Sequence, residues 1–145
     1  TDYHYEFSSK IIDISKFLVS ICEWRNLKIN PLQDKVLVHD PCTLRNILRS
    51  SKYPYELLIH IPEINVTPLA GNDQCCGSAG TYFLDQPAMA ESLLNDKISK
   101  IDSNTRYLAT SNTGCHMYIA NALKNKIPEL EVLHPVTLLA RQIKK

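Results

Sequence analysis

Residues 70–82 read Ala70-Gly71-Asn72-Asp73-Gln74-Cys75-Cys76-Gly77-Ser78-Ala79-Gly80-Thr81-Tyr82, and they hold three of the chain's four glycines and two of its five cysteines. Glycine admits a left-handed backbone and lets other groups approach the chain closely, and two adjacent cysteines can aim soft sulfur donors at one centre. A metal is the first candidate for that centre. A Cys75–Cys76 disulfide would be strained, because neighbouring Cα atoms sit about 3.8 Å apart and an unstrained bridge wants about 4.4–6.8 Å. Two other readings stay open: a pair of small buried apolar side chains, or an activated thiol nucleophile at Cys75 or Cys76.

What these sulfurs can do depends on the elements that carry them and the other cysteines. Lys35-Val36-Leu37-Val38-His39 reads as a strand that stops at Asp40-Pro41-Cys42, since proline cannot continue a central strand. Helical spacing follows over Thr43–Arg49 and Pro54–Ile61. Asn65–Leu69 is a second strand, running straight into the glycine and cysteine stretch. Gln86-Pro87 opens a helix with Ala90, Leu94, Ile98 and Ile101 inward and a charged outer face, capped by Asp85 or Gln86. Arg106–Thr110 is a third strand, and Cys115, Tyr118, Ile119, Ala122 and Leu123 mark a helix that Cys115 begins. Leu130–Leu133 is the fourth strand, with His134-Pro135 turning into a last helix.

Strands alternating with helices predict an α/β fold: a four-stranded, mainly parallel sheet with helices on both faces, in the Rossmann-like three-layer arrangement. An N-terminal helix over Ser8–Arg25 precedes it, with Ile11, Ile14, Phe17, Leu18, Ile21 and Cys22 on its core side. Residues 1–34 are expected to be this helix and a linker packing on a domain of residues 35–145. In parallel sheets ligands bind beyond the carboxyl ends of the strands. Cys42 follows the first strand, Cys75 and Cys76 the second, and Cys115 the third, so four sulfurs are expected at one sheet edge, with His39 and His134 also at strand exits. The helix N-termini at that edge should lower the pKa of Cys42 and Cys115. Asp40 and Asn112 read first as helix caps.

Composition narrows the function classes. The hydrophobic share of 44%, charged share of 21% and net charge of +1 over 145 residues describe one ordinary globular domain. They leave no electrostatic footprint for nucleic acid. The longest apolar runs, Phe17-Leu18-Val19 and Leu57-Leu58-Ile59, are far short of the roughly 20 residues of a membrane-spanning helix. An odd cysteine count and the lack of a charged-then-apolar leader predict a reducing, cytoplasmic setting. A first residue of Thr suggests a piece of a longer or processed chain. Sulfur-rich coordination favours iron–sulfur clusters, zinc or Cu(I). Structural zinc sites usually repeat a C-x-x-C pair that this sequence lacks, and adjacent cysteines suit a centre with more than one metal.

His39-Asp40-Pro41-Cys42, Cys75-Cys76-Gly77-Ser78-Ala79-Gly80-Thr81-Tyr82, Thr110-Ser111-Asn112-Thr113-Gly114-Cys115 and Val132-Leu133-His134-Pro135-Val136 resemble the C-terminal cysteine-rich (CCG) domain of the glycolate oxidase iron–sulfur subunit. Related CCG domains occur in lactate-utilisation iron–sulfur proteins, the anaerobic glycerol-3-phosphate dehydrogenase C subunit and heterodisulfide reductase B subunits. The resemblance implies an electron-transfer subunit of a glycolate or other 2-hydroxy-acid oxidase complex, relaying electrons from a flavin-containing subunit towards quinone. It implies Cys42, Cys75, Cys76 and Cys115 as metal ligands; from their own positions, His39 and His134 at strand exits and Gly77 and Asn112 beside the cysteines are expected as weaker or supporting positions. The implied cofactor is an iron–sulfur cluster, 4Fe-4S in the full subunit, with zinc as the alternative. The implied partners are the flavin subunit and, within its own subunit, a ferredoxin-like region and a first CCG domain, peripheral at the cytoplasmic face of the inner membrane. One position departs from the pattern: heterodisulfide reductase closes with C-x-x-C, whereas Cys115-His116-Met117-Tyr118 ends in Tyr118. The five-cysteine cluster is therefore not expected, which leaves a four-thiolate cluster, a zinc ion, or a metal-free docking module.

Overall fold

The β-branched run Lys35–His39 forms β1, and it lies between two neighbours in a four-stranded sheet ordered β2-β1-β3-β4 with β2 (Asn65–Pro68), β3 (Tyr107–Thr110) and β4 (Glu131–Leu133). The computed structural model describes residues 2–144. All three pairings are parallel, with Val38 opposite Pro68 on one side and His39 opposite Thr110 on the other. The position of β2 at the sheet edge explains how it tolerates Pro68, which has no N–H to give to a further strand.

Helices α3 (Cys42–Asn46) and α4 (Tyr53–Leu58) connect β1 to β2, and α5 (Tyr82–Asp85) and α6 (Pro87–Ile98) connect β2 to β3. Helix α7 (Thr113–Leu123) connects β3 to β4, and α8 (Pro135–Gln142) follows β4. Side chains alternate across each strand, so Leu37, Leu108 and Val132 face α6 and α7 through Leu94, Ile98, Ile119 and Leu123. Val36, Val38, Ala109 and Leu133 face the other way, onto Leu57 and Leu58 of α4 and Leu138 and Leu139 of α8. Burial on both sides is why these strands read as near-continuous apolar runs, and it gives the three layers that the alternation of elements predicts.

The N-terminal segment departs from expectation. Instead of one helix over Ser8–Arg25, there are two, α1 (Asp2–Ser9) and α2 (Ile14–Ile21), followed by a single 3-10 turn at Trp24–Asn26. The break has a local cause: Asp13 accepts hydrogen bonds from Ser15 N and Lys16 N and starts a new helix there. Part of the expected core face turns outward with it, while Leu18 and Cys22 stay half-buried as expected. Ile11 and Ile21 are each 56% exposed, and Ile14 and Phe17 are also exposed, while Ser15, Leu18 and Val19 form the inward stripe of α2, which packs on α4 and α8. Asp40 is not a helix cap either. Pro41 occupies the N-cap of α3 without a side-chain bond, and the Asp40 carboxylate accepts from Tyr55 Oη at 3.0 Å.

Candidate metal centre

A strand order of β2-β1-β3-β4 makes the chain leave β1 towards one edge and β3 towards the other, which opens a crevice between their carboxyl ends. The first exit carries His39, Asp40, Pro41 and Cys42, and Cys42 is the first residue of α3. The second carries Thr110, Ser111 and Asn112, with Cys115 the third residue of α7 rather than its first. Asn112 is the N-cap of α7, and its Oδ1 accepts from Cys115 N at 3.1 Å. The same side chain that starts the helix therefore fixes the backbone of the cysteine.

The loop after β2 is tied to the first exit by its own Asn72 and by Arg45 of α3. Asn72 Nδ2 donates to Val38 O at 2.8 Å, and Asn72 Oδ1 accepts from Asp40 N at 3.1 Å. Arg45 of α3 donates to Asn72 O and, at 2.7 Å, to Asp73 O. Gly77 then turns the chain at φ +90°, and a Cβ there would stand 2.5 Å from Ala90 O of α6. A side chain cannot fit in that gap, and few would adopt the dihedral.

These constraints bring the cysteines together. Cys42, Cys75, Cys76 and Cys115 all line one cavity of about 600 Å³, together with Ser78, Asn112 and Tyr118. Cys76 Sγ and Cys115 Sγ are 3.1 Å apart, and Ser78 Oγ lies 3.0 Å from the first and 3.6 Å from the second. Gly77 N donates to Cys75 Sγ at 3.3 Å. A ring nitrogen of His39 joins the two close sulfurs in a set whose donor atoms all lie within 4.8 Å of one another. Cys22 lies elsewhere, at the end of α2 beside Trp24, and lines a different cavity.

Electrostatics divides the close pair unequally. The Cys115 hydrogen bond, helped by Ser78, holds the Cys76 thiol down at about 6 against the opposing effect of burial. The same bond, together with burial, pushes Cys115 up. The pair thus gives up one proton readily and the second with difficulty. That reverses the expected lowering at Cys115, because the shared proton outweighs the helix N-terminus. Burial raises Cys75. Burial, followed by the charges of Lys97 and Arg45, pulls His39 down to about 3, so its imidazole is neutral and has a lone pair to offer. His39 Nδ1 lies 2.9 Å from Thr110 Oγ1. His134 does not line the cavity: its Nδ1 accepts from Val136 N at 3.1 Å and caps α8.

The reading of the sequence gave no role to Ser78, although it stands inside the quoted motif, nor to Thr110, Asn72 or Arg45. A polar residue two positions past a cysteine pair was the one signal available for Ser78. Asn72 and Thr110 also stand inside the quoted stretches, but their roles, like that of Arg45, come from contacts 27 to 71 residues away in the chain.

No helix among the described residues is long and apolar enough to cross a membrane. Over 139 residues the chain is 27% identical to lactate utilization protein A of Shouchella clausii, a match that covers 92% of this chain and 56% of that protein. It is 26% identical over 133 residues to the protein of the same name from Geobacillus, covering 91% and 56%, and 26% identical over 139 residues to lactate utilization protein A 2 of Bacillus cereus, covering 95% and 57%. The chain thus spans little more than half the length of these relatives. Residues 36–120 match the CCG cysteine-rich domain, and all four cysteines of the cavity fall inside that stretch; the chain belongs to the CCG cysteine-rich domain family.

Proposed function

We propose that this domain holds an iron–sulfur centre through Cys42, Cys75, Cys76 and Cys115 and serves electron transfer in a complex that oxidises a 2-hydroxy acid. The observation that carries the reading is the gathering of four thiols from beyond three strand ends at one cavity. The donor set fits such a centre: soft sulfurs, a neutral imidazole beside them, and backbone N–H groups aimed at sulfur. The 3.1 Å contact between Cys76 and Cys115 holds two thiols around a shared proton, and binding a metal as thiolates would require that proton to leave. An iron–sulfur centre bound there supplies one-electron transfer. The protein's share is to present four sulfurs, to keep His39 neutral and to seat the loop through Asn72 and Arg45.

The relatives' name, lactate utilization protein A, supports a 2-hydroxy acid as the substrate of the complex, with glycolate and lactate both in that class. In this reading a flavin-containing subunit does the oxidation and this chain's own subunit, with a ferredoxin-like region and a further CCG domain, passes the electrons towards quinone from the cytoplasmic face of the inner membrane. Anaerobic reconstitution with ferrous iron and sulfide tests the core of the proposal. Iron and sulfide retained by the wild type and lost in C42S, C75S, C76S and C115S support it; a colourless, iron-free wild type overturns it. Assay of the full subunit with its flavin partner on glycolate and lactate separately then decides the acid.

A second reading has its own observation. His39, Cys76 and Cys115 form a compact nitrogen and sulfur set that suits a single zinc ion in a structural or docking role. One equivalent of zinc, with unfolding on chelation and no iron uptake, selects it.

A further inference from the structure

Helix α6 lies directly behind the cysteine loop, as the meeting of Gly77 with Ala90 shows. Two turns further along the same helix stands Lys97, which is 1% exposed. Its Nζ donates to Gly71 O at 2.9 Å, and among the described residues that carbonyl is its one hydrogen-bond acceptor, leaving two of the three ammonium protons without one. Six ion pairs join lysines or arginines to carboxylates among the described residues, and Lys97 is in none of them. Its neighbour Lys100, by contrast, is paired with Asp96 at 2.6 Å. A buried ammonium with no carboxylate beside it is costly unless another anion faces it. Gly71 opens the loop that carries Cys75 and Cys76; burial pulls the Lys97 ammonium down, the Cys76 thiolate is the first of the charges that oppose this, and the charge of Lys97 in turn reaches His39 and Asp40.

We infer that Lys97 is the fixed counter-cation of the sulfur centre: it offsets the negative charge of the gathered thiolates and so makes a centre held there easier to reduce. Lys97 touches neither substrate nor ligand and acts through the sulfurs, as a tuning residue. The inference rests on the proposal that the four cysteines hold a redox centre, and its experiment has one arm that needs no metal.

In the loaded arm, wild type, Lys97→Met and Lys97→Arg are reconstituted with ferrous iron and sulfide and titrated potentiometrically. Lys97→Met keeps the length and apolar stem of the side chain and is expected to shift the reduction equilibrium about tenfold against the reduced form, or about 59 mV negative for a one-electron couple. Lys97→Arg keeps the charge and holds the wild-type potential. A packing role alone would leave the potential in place, so an unchanged potential in Lys97→Met overturns the inference. The metal-free arm is a double-mutant cycle of Lys97→Met with Cys76→Ser, read by urea unfolding at neutral pH. A counter-cation predicts that the effects of the two substitutions on the folding equilibrium depart from a simple product by about tenfold, and a simple product overturns the inference. If the wild type takes up no iron, the proposal about the centre fails and this cycle alone decides the role of Lys97.

Discussion

Gly77 is the residue on which the geometry of the site turns. Its φ of +90° lies where a side chain is strained by about 1–2 kcal/mol. The Cβ it lacks would stand 2.5 Å from Ala90 O, a backbone atom that cannot swing aside, and forced overpacking of this kind costs about 1–3 kcal/mol more. Gly77→Val is therefore expected to lower stability by about 2–5 kcal/mol, read from the urea midpoint, and to displace Cys75 and Cys76 together. Cys22→Ser, on the half-buried side of α2, should cost within about 1 kcal/mol and leave metal uptake unaltered. Equal loss of metal in the two variants would show that the loop is not what positions the sulfurs. Cys76 and Cys115 add a lesson at the same scale. Helix position alone marked Cys115 as the easier thiol to ionise, but a 3.1 Å contact with another sulfur decides which of the two holds the proton.

At the scale of elements, the cap of α7 does two jobs with one atom. Asn112 Oδ1 ends the run of unsatisfied N–H groups at the helix start and pins the backbone of Cys115. Asn112→Ala should cost about 1 kcal/mol of stability and weaken metal uptake, whereas Asn112→Asp, which keeps the acceptor, should retain both; thermal unfolding and metal titration of the two variants check this. If the two variants behave alike, the cap is not what places Cys115. Elements of this kind were legible in the sequence where the signal is local. The four strands stand out because short apolar or β-branched runs end in Asp-Pro, Pro, Ser-Asn and His-Pro, and the α7 cap because Asn112 precedes a helical spacing. The N-terminal helix departs from its spacing because Asp13, a surface residue in the sequence, captures two N–H groups and starts a new helix there, which leaves Ile11, Ile14, Phe17 and Ile21 outward while Leu18 and Cys22 stay half-buried. Helix α6 shows the other limit. Its spacing puts Ala90, Leu94 and Ile98 inward correctly, but its charges read as an outer face, and the burial of Lys97 depends on the loop from Gly71 crossing above it.

Across the whole molecule, folding takes several imidazoles out of water in their neutral form, so stability must depend on pH. His39 falls from its usual 6.5 to about 3 through burial, and then through the charges of Lys97 and Arg45. Burial also holds His134 and His60 below their usual range. Between those folded values and 6.5 the unfolded chain binds protons that the folded chain refuses, so acid favours unfolding. The stabilisation from His39 is complete above about pH 6.5 and is lost as the pH falls towards about 3. Lowering the metal-free chain from pH 6.5 to 5 should then remove about 2 kcal/mol through His39 alone, at about 1.36 kcal/mol per pH unit. Cys76, held at about 6 in the folded state, gives a slope of the same sign from there up to the usual thiol range, so the histidine contribution is read from variants rather than from the total. His39→Gln should flatten the slope of the urea midpoint between pH 6.5 and 5. His134→Asn, which keeps an acceptor for Val136 N and hence the α8 cap, should flatten it by a smaller amount without lowering stability at pH 7.5. A slope unchanged in His39→Gln would mean that the buried ring is not the group that resists protonation, and the neutral imidazole beside Cys76 and Cys115 would lose its basis.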